Sequence, residues 1–151
     1  MISVVLLTSE DLQGLAAQMA MLVPAAVDGL VKELILVGPS EPGVEALVED
    51  SGARLVEAAG DVAACLAAGA AAARGDWILT LSATPALRDG WREPVEKHLA
   101  GGGGAPAALA APGGWLARRL HGVLVRRLDW PASGGDERAL VKTLKARRLA
   151  Y

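Results

Sequence analysis

A chain of 151 residues, 52% hydrophobic and 21% charged, is long enough to bury one core, and a single domain over residues 1–151 is expected. Its one cysteine, Cys65, excludes an internal disulfide and a thiolate metal cluster, and in an apolar helical stretch with no nearby His it reads as a structural thiol. The net charge of −2 conceals an asymmetry, because from Trp115 onward nine Lys/Arg face three Asp/Glu, leaving six against fourteen before it.

Such a basic segment suits phosphate, anionic lipid, nucleic acid or a solvated helix face set against an acidic partner. Few aromatic residues are available there to stack on bases, so nucleic acid is not expected. Peripheral membrane contact and a homo-oligomer stay open. Met1 to Thr8 has no basic leader or cleavage site, and the alanine-rich run Val62 to Ala73 is far short of the roughly 20 apolar residues of a membrane span. A cytoplasmic location is the expectation.

In chain order, the apolar run Ile2 to Leu7 predicts a strand buried on both faces, and similar runs recur at Leu34 to Val37, Arg54 to Val56 and Trp77 to Leu81. Between them the pattern predicts helices. One is capped by Ser9 or Asp11 and runs to about Met21, one runs from Glu41 or Gly43 through Glu49 to a stop at Gly52, and one is capped by Asp61 and runs to Ala73. This β-α-β-α-β-α-β order predicts parallel strands joined by right-handed crossovers. A further helix is expected from Asp89 to Leu99. The Gly101–Gly104 run followed by Ala105-Pro106 breaks regular structure, so residues 100–114 read as a Gly/Ala/Pro-rich internal loop. Beyond it come a strand at Gly122 to Val125 and a helix from Asp136 to Arg148, whose apolar face is Leu140, Val141, Leu144 and Leu149.

No Gly-x-Gly-x-x-Gly follows the first strand, and the P-loop and Gly-x-Ser-x-Gly patterns are also absent. His98 and His121 lack ligand spacing and read as surface or helix-end residues.

Three segments carry the functional signal: Ile2-Ser3-Val4-Val5-Leu6-Leu7-Thr8, Val31 to Val37, and the alanine-rich Ala68 to Ala73 leading through Arg74-Gly75-Asp76 into Trp77-Ile78-Leu79. With Asp89-Gly90-Trp91, the run Gly122 to Arg127 and Gly134-Gly135-Asp136-Glu137, their order and spacing resemble family 2 glycosyltransferases over nearly the whole chain. The resemblance implies a Rossmann-like, GT-A-type three-layer α/β sandwich with a mostly parallel central sheet, and a nucleotide-sugar donor. Ligands of open α/β sheets gather at the carboxyl ends of the strands, so Thr8, Glu10, Gly38, Ser40, Ser82 and Thr84 are the nucleotide-side candidates. Asp136 and Glu137 stand where the family places its base, although acidic residues at a helix start also cap it. Arg126 and Arg127 are candidates for holding the diphosphate.

The departures from the family fall on the chemistry. Gly38-Pro39-Ser40 stands where its second strand ends in Asp, and Ser82-Ala83-Thr84-Pro85 replaces its acidic metal motif. Neutral oxygens serve a hard dication poorly, so binding of manganese or magnesium is expected to be weak or absent. A catalytically silent relative, kept as a binding or assembly module, is the alternative to an active transferase.

Overall fold

The computed structural model describes residues 1–83, 87–111 and 119–151. Strand β1 (Ile2–Leu7) runs into helix α1 (Leu12–Ala20), which Asp11 caps by accepting from the Gly14 N–H at 2.9 Å. A separate short helix α2 (Val23–Val27) follows, with Pro24 in its first turn. Strand β2 (Val31–Gly38), helix α3 (Pro42–Ser51) and strand β3 (Arg54–Glu57) come next, with left-handed Gly52 ending α3 as expected. Helix α4 (Val62–Ala72) is capped by the Asp61 carboxylate and leads to strand β4 (Trp77–Leu81). Helix α5 (Arg92–Ala100) begins three residues later than the sequence suggests, after Gly90 at φ 87°.

The remaining elements are strand β5 (Ala107–Ala110), strand β6 (Leu120–Arg126), a 3-10 turn at Arg127–Asp129, helix α6 (Glu137–Leu144) and strand β7 (Arg147–Ala150). All seven strands lie in one sheet in the order β3-β2-β1-β4-β6-β5-β7. The pairs β3–β2, β2–β1 and β1–β4 are parallel, as predicted. Strand β6 runs antiparallel to both neighbours, and β5 pairs parallel with β7. The sheet is therefore mostly parallel with one reversed strand.

Two expectations are corrected. Within the stretch 100–114, expected to be irregular, Ala107–Ala110 is a buried strand. Its three alanines and one leucine carry no polar alternation and no β-branched side chain, so the sequence offers little strand signal. The last helix was expected to reach Arg148, yet it ends at Leu144. Lys145 adopts a left-handed conformation (φ 51°), and the Ala146 N–H returns to the Val141 carbonyl at 3.0 Å. That is a helix stop built without glycine, after which the free edge of β5 captures Arg147–Ala150.

Apolar residues of α1, α2, α3 and α5 form one core on one face of the sheet with Val4, Leu6, Leu36 and Leu79. Those of α4 and α6 form a second on the opposite face with Val5, Ile35, Ile78 and Val123. The result is a three-layer sandwich. At the amino ends of the strands a polar cluster ties the α4–β4 connection to β1 and β2. Ser3 Oγ and the Arg74 N–H both donate to Glu33 Oε1 at 2.6 Å, and the Gly75 N–H donates to Ser3 Oγ at 2.7 Å.

Candidate functional site

Parallel pairing in register brings the carboxyl ends of β2, β1 and β4 side by side. Gly38 ends β2, Thr8 follows β1 and Ser82 follows β4, and the Thr8 N–H donates to the Val37 carbonyl at 3.0 Å. Gly38 and Thr8 are so close that a Cβ at position 38 would collide with Thr8 Oγ1. Three of the nucleotide-side candidates thus form one row. Glu10 is exposed just before the α1 cap, and exposed Ser40 donates its hydroxyl to Glu45 in the first turn of α3. Thr84 lies outside the described residues.

Helix α6 adds the acidic component, and its two candidates separate cleanly. Asp136 is the N-cap: it is exposed, and its carboxylate accepts from the Ala139 N–H at 2.8 Å. Glu137, one residue on, turns across β6 toward β4. Its Oε1 accepts from the Thr80 hydroxyl at 3.0 Å, and its Oε2 lies at the outer limit of a hydrogen bond from Ser82 Oγ, 3.5 Å away. Thr80 is fully buried and itself accepts from the Val123 N–H at 3.0 Å, so the carboxylate is held through a hydroxyl anchored in the sheet. Burial pushes the Glu137 carboxyl above its ordinary range. The Thr80 and Ser82 hydroxyls oppose the shift, and the Asp136 charge adds to it. Thr80 was not singled out from sequence. The one available signal was a hydroxyl inside the otherwise apolar strand Trp77-Ile78-Leu79-Thr80-Leu81.

Among the described residues, no three His, Cys, Asp or Glu side chains stand close enough together to hold a metal ion. At the end of β4 the donors are the Ser82 hydroxyl and the single Glu137 carboxylate, the latter already engaged by Thr80. A hard dication prefers several charged oxygens. The described residues do not fit such an ion.

Arg126 and Arg127 are not part of this site. Because β6 runs antiparallel to β4, with Trp77 opposite Arg126, both lie at the amino ends of the parallel strands, across the sheet from Thr8 and Ser82. Arg126 stacks over the Trp77 ring at 5.5 Å, and Arg127 Nε donates to the Gly75 carbonyl at 3.1 Å. His121 is also corrected. It is buried at the start of β6 rather than on the surface, and the Tyr151 hydroxyl lies 2.6 Å from its Nδ1. Burial, with a smaller contribution from the Arg88 charge, holds the imidazole below its usual value.

No protein-family model and no curated protein sequence matches this chain. Solved structures do, and they share its mostly parallel α/β fold, which is GT-A-like. In particular, the chain is similar to glucosyl-3-phosphoglycerate synthase from Mycobacterium tuberculosis, a family 2 glycosyltransferase solved with Mn2+, UDP and glucosyl-3-phosphoglycerate. The TM-score is 0.72 at 21% identity, covering 99% of this chain and 69% of that one. A mycobacterial protein aligns equally well, with TM-score 0.72, 22% identity and coverage of 99% and 65%. The 4-diphosphocytidyl-2C-methyl-D-erythritol synthase of Anaerococcus prevotii aligns with TM-score 0.67 at 11% identity, covering 99% of this chain and 86% of that one. The chain thus spans about two thirds of the length of the two mycobacterial proteins, and identities this low establish the fold alone.

Proposed function

We propose that the carboxyl edge of this sheet accepts a nucleotide-sugar and that the protein is a glycosyltransferase with Glu137 as its general base. The observation that carries this is the Glu137 carboxylate itself. It is anchored by Thr80, made more basic by burial, and set beside the row Gly38, Thr8 and Ser82. A base of this kind removes the proton of an acceptor hydroxyl as its oxygen attacks the anomeric carbon. The bond from that carbon to the diphosphate breaks, and the nucleoside diphosphate leaves. The long contact from Ser82 leaves Glu137 Oε2 open to an incoming hydroxyl. With Arg126 and Arg127 on the other edge, Arg88 and Arg119 take the role of fixed cations for the leaving diphosphate, since Arg88 adjoins His121 and Arg119 immediately precedes β6.

Calorimetric titration with UDP and GDP, with and without manganese, tests the donor site. Replacing Glu137 with Gln tests the base. The variant should bind the nucleotide within about twofold of the parent and lose transfer by about 10²–10⁴. An unimpaired variant would remove Glu137 from the mechanism. The second reading, a binding module without turnover, is favoured by the neutral Ser82-Ala83 at the end of β4. Nucleotide binding by a parent protein that turns over no donor would establish it.

A further inference from the structure

The pair Arg126-Arg127 has no place in the carboxyl-edge site, and its actual surroundings suit a different ligand. The two residues end β6 and open the 3-10 turn Arg127–Asp129, at whose tip Leu128 is 88% exposed. Asp76, Trp77, Arg126, Arg127 and Leu128 line a cavity of about 260 Å³. Arg126 lies against Gly104, beyond which Lys97 and Arg147 line an adjoining cavity of about 420 Å³. Four cations, Lys97, Arg126, Arg127 and Arg147, are therefore distributed across one edge of the sheet. Of the acids there, Asp76 pairs with the amino terminus at 3.4 Å, and exposed Asp129 adjoins Leu128. Met1 lies beside Asp76, whose N–H donates to the Met1 carbonyl, and is itself 56% exposed.

We propose that this amino edge docks on an anionic lipid bilayer, with the four cations against headgroup phosphates and Leu128 entering the interface. Charge complementarity selects an anionic partner, because clustered Lys and Arg gain on the order of a fewfold in affinity each at a surface of negative lipid. The exposed leucine that directly follows the two arginines selects a bilayer over a polynucleotide. A leucine gains by leaving water for acyl chain, whereas single-stranded nucleic acid is held by aromatic faces, and the Trp77 ring is covered by Arg126. Docked this way, the row Gly38, Thr8 and Ser82 faces away from the bilayer, so the inference does not depend on what that row binds.

Flotation of the full chain with phosphatidylcholine vesicles, with and without about one third phosphatidylglycerol, tests it. Binding to the anionic vesicles should exceed binding to the neutral ones by about tenfold or more and weaken with salt. The triple variant Lys97→Gln, Arg126→Gln, Arg147→Gln should lose most of that preference while its melting temperature falls by no more than the few degrees that the lost Arg126–Trp77 stack accounts for. Leu128→Ser should reduce the binding that survives raised salt. Equal binding to both vesicles, no binding, or triple and Leu128 variants that bind like the parent would each overturn the proposal. So would a single-stranded oligonucleotide that binds more tightly than the anionic vesicles and is indifferent to Leu128→Ser.

Discussion

The two halves of the sheet are built by different means. In the parallel half, β3-β2-β1-β4, the strands β2, β1 and β4 are built on long, largely apolar runs and the half-buried edge strand β3 on Leu55 and Val56, and each crossover helix is delimited by a local signal such as Asp11, Gly52 or Asp61. In the other half, β6-β5-β7, only β6 has that character. The four-residue strands β5 and β7 have little intrinsic preference and exist because neighbours offer them partners. One half therefore resists disruption through local preference plus core burial, whereas the other depends on the seam between β4 and β6.

The largest effects should come from the core of the parallel half. Ile35→Ala and Ile78→Ala, both fully buried, should each cost about 2–5 kcal/mol in denaturant unfolding. A loss below about 0.5 kcal/mol at both would show that neither side chain anchors the core.

The seam is probed by glycine. A Cβ at Gly122 of β6 would strike the Thr80 carbonyl, a backbone group that cannot rotate away. A Cβ at Gly69 of α4 would meet Val5 and the Val37 methyl, which can. Gly122→Ala should cost about 3 kcal/mol and Gly69→Ala about 1 kcal/mol, the helical alanine recovering part of the strain. Equal losses would erase the distinction between the halves. Lys145→Gly should stabilise the protein by about 1 kcal/mol, because glycine relieves the left-handed backbone that starts the turn into β7.

Smaller still is the pH effect at the seam. The native pKa of Glu137 lies above its unfolded value, so the native state binds the proton more tightly. Stability from this group is present at low pH and falls as pH rises from the ordinary carboxylate pKa through the raised one. Glu137→Gln should flatten that loss in melting temperature across mildly acidic pH. If Glu137 is the base, transfer should increase over the same window as the carboxylate ionises. The smallest expected effect is that of metal. Millimolar manganese added with UDP should move the melting temperature by less than about 1 °C beyond UDP alone, because binding that is weak relative to concentration stabilises little. A shift of several degrees needing both would contradict the donor set read at Ser82. Thr84→Asp is the complementary variant, and stronger metal-linked nucleotide binding in it would mark an otherwise intact pocket.

The sequence by itself determined the parallel half, because the information there is local. Apolar runs long enough to be buried on both faces, caps at their junctions and crossovers of adequate length leave little choice of topology, and Thr8, Gly38 and Ser82 follow as neighbours. Glu137 was visible beside Asp136, but only the docking of α6 on β6 divided them into a base candidate tied to Thr80 and a cap tied to Ala139. Tertiary structure alone decided that β6 is reversed, and reversal of that one strand carries Arg126 and Arg127 from the expected diphosphate site to the opposite edge. It also decided that Ala107–Ala110 and Arg147–Ala150 are strands. For such short segments, the hydrogen bonds of an available sheet edge outweigh intrinsic preference, and that edge comes from residues distant in the chain.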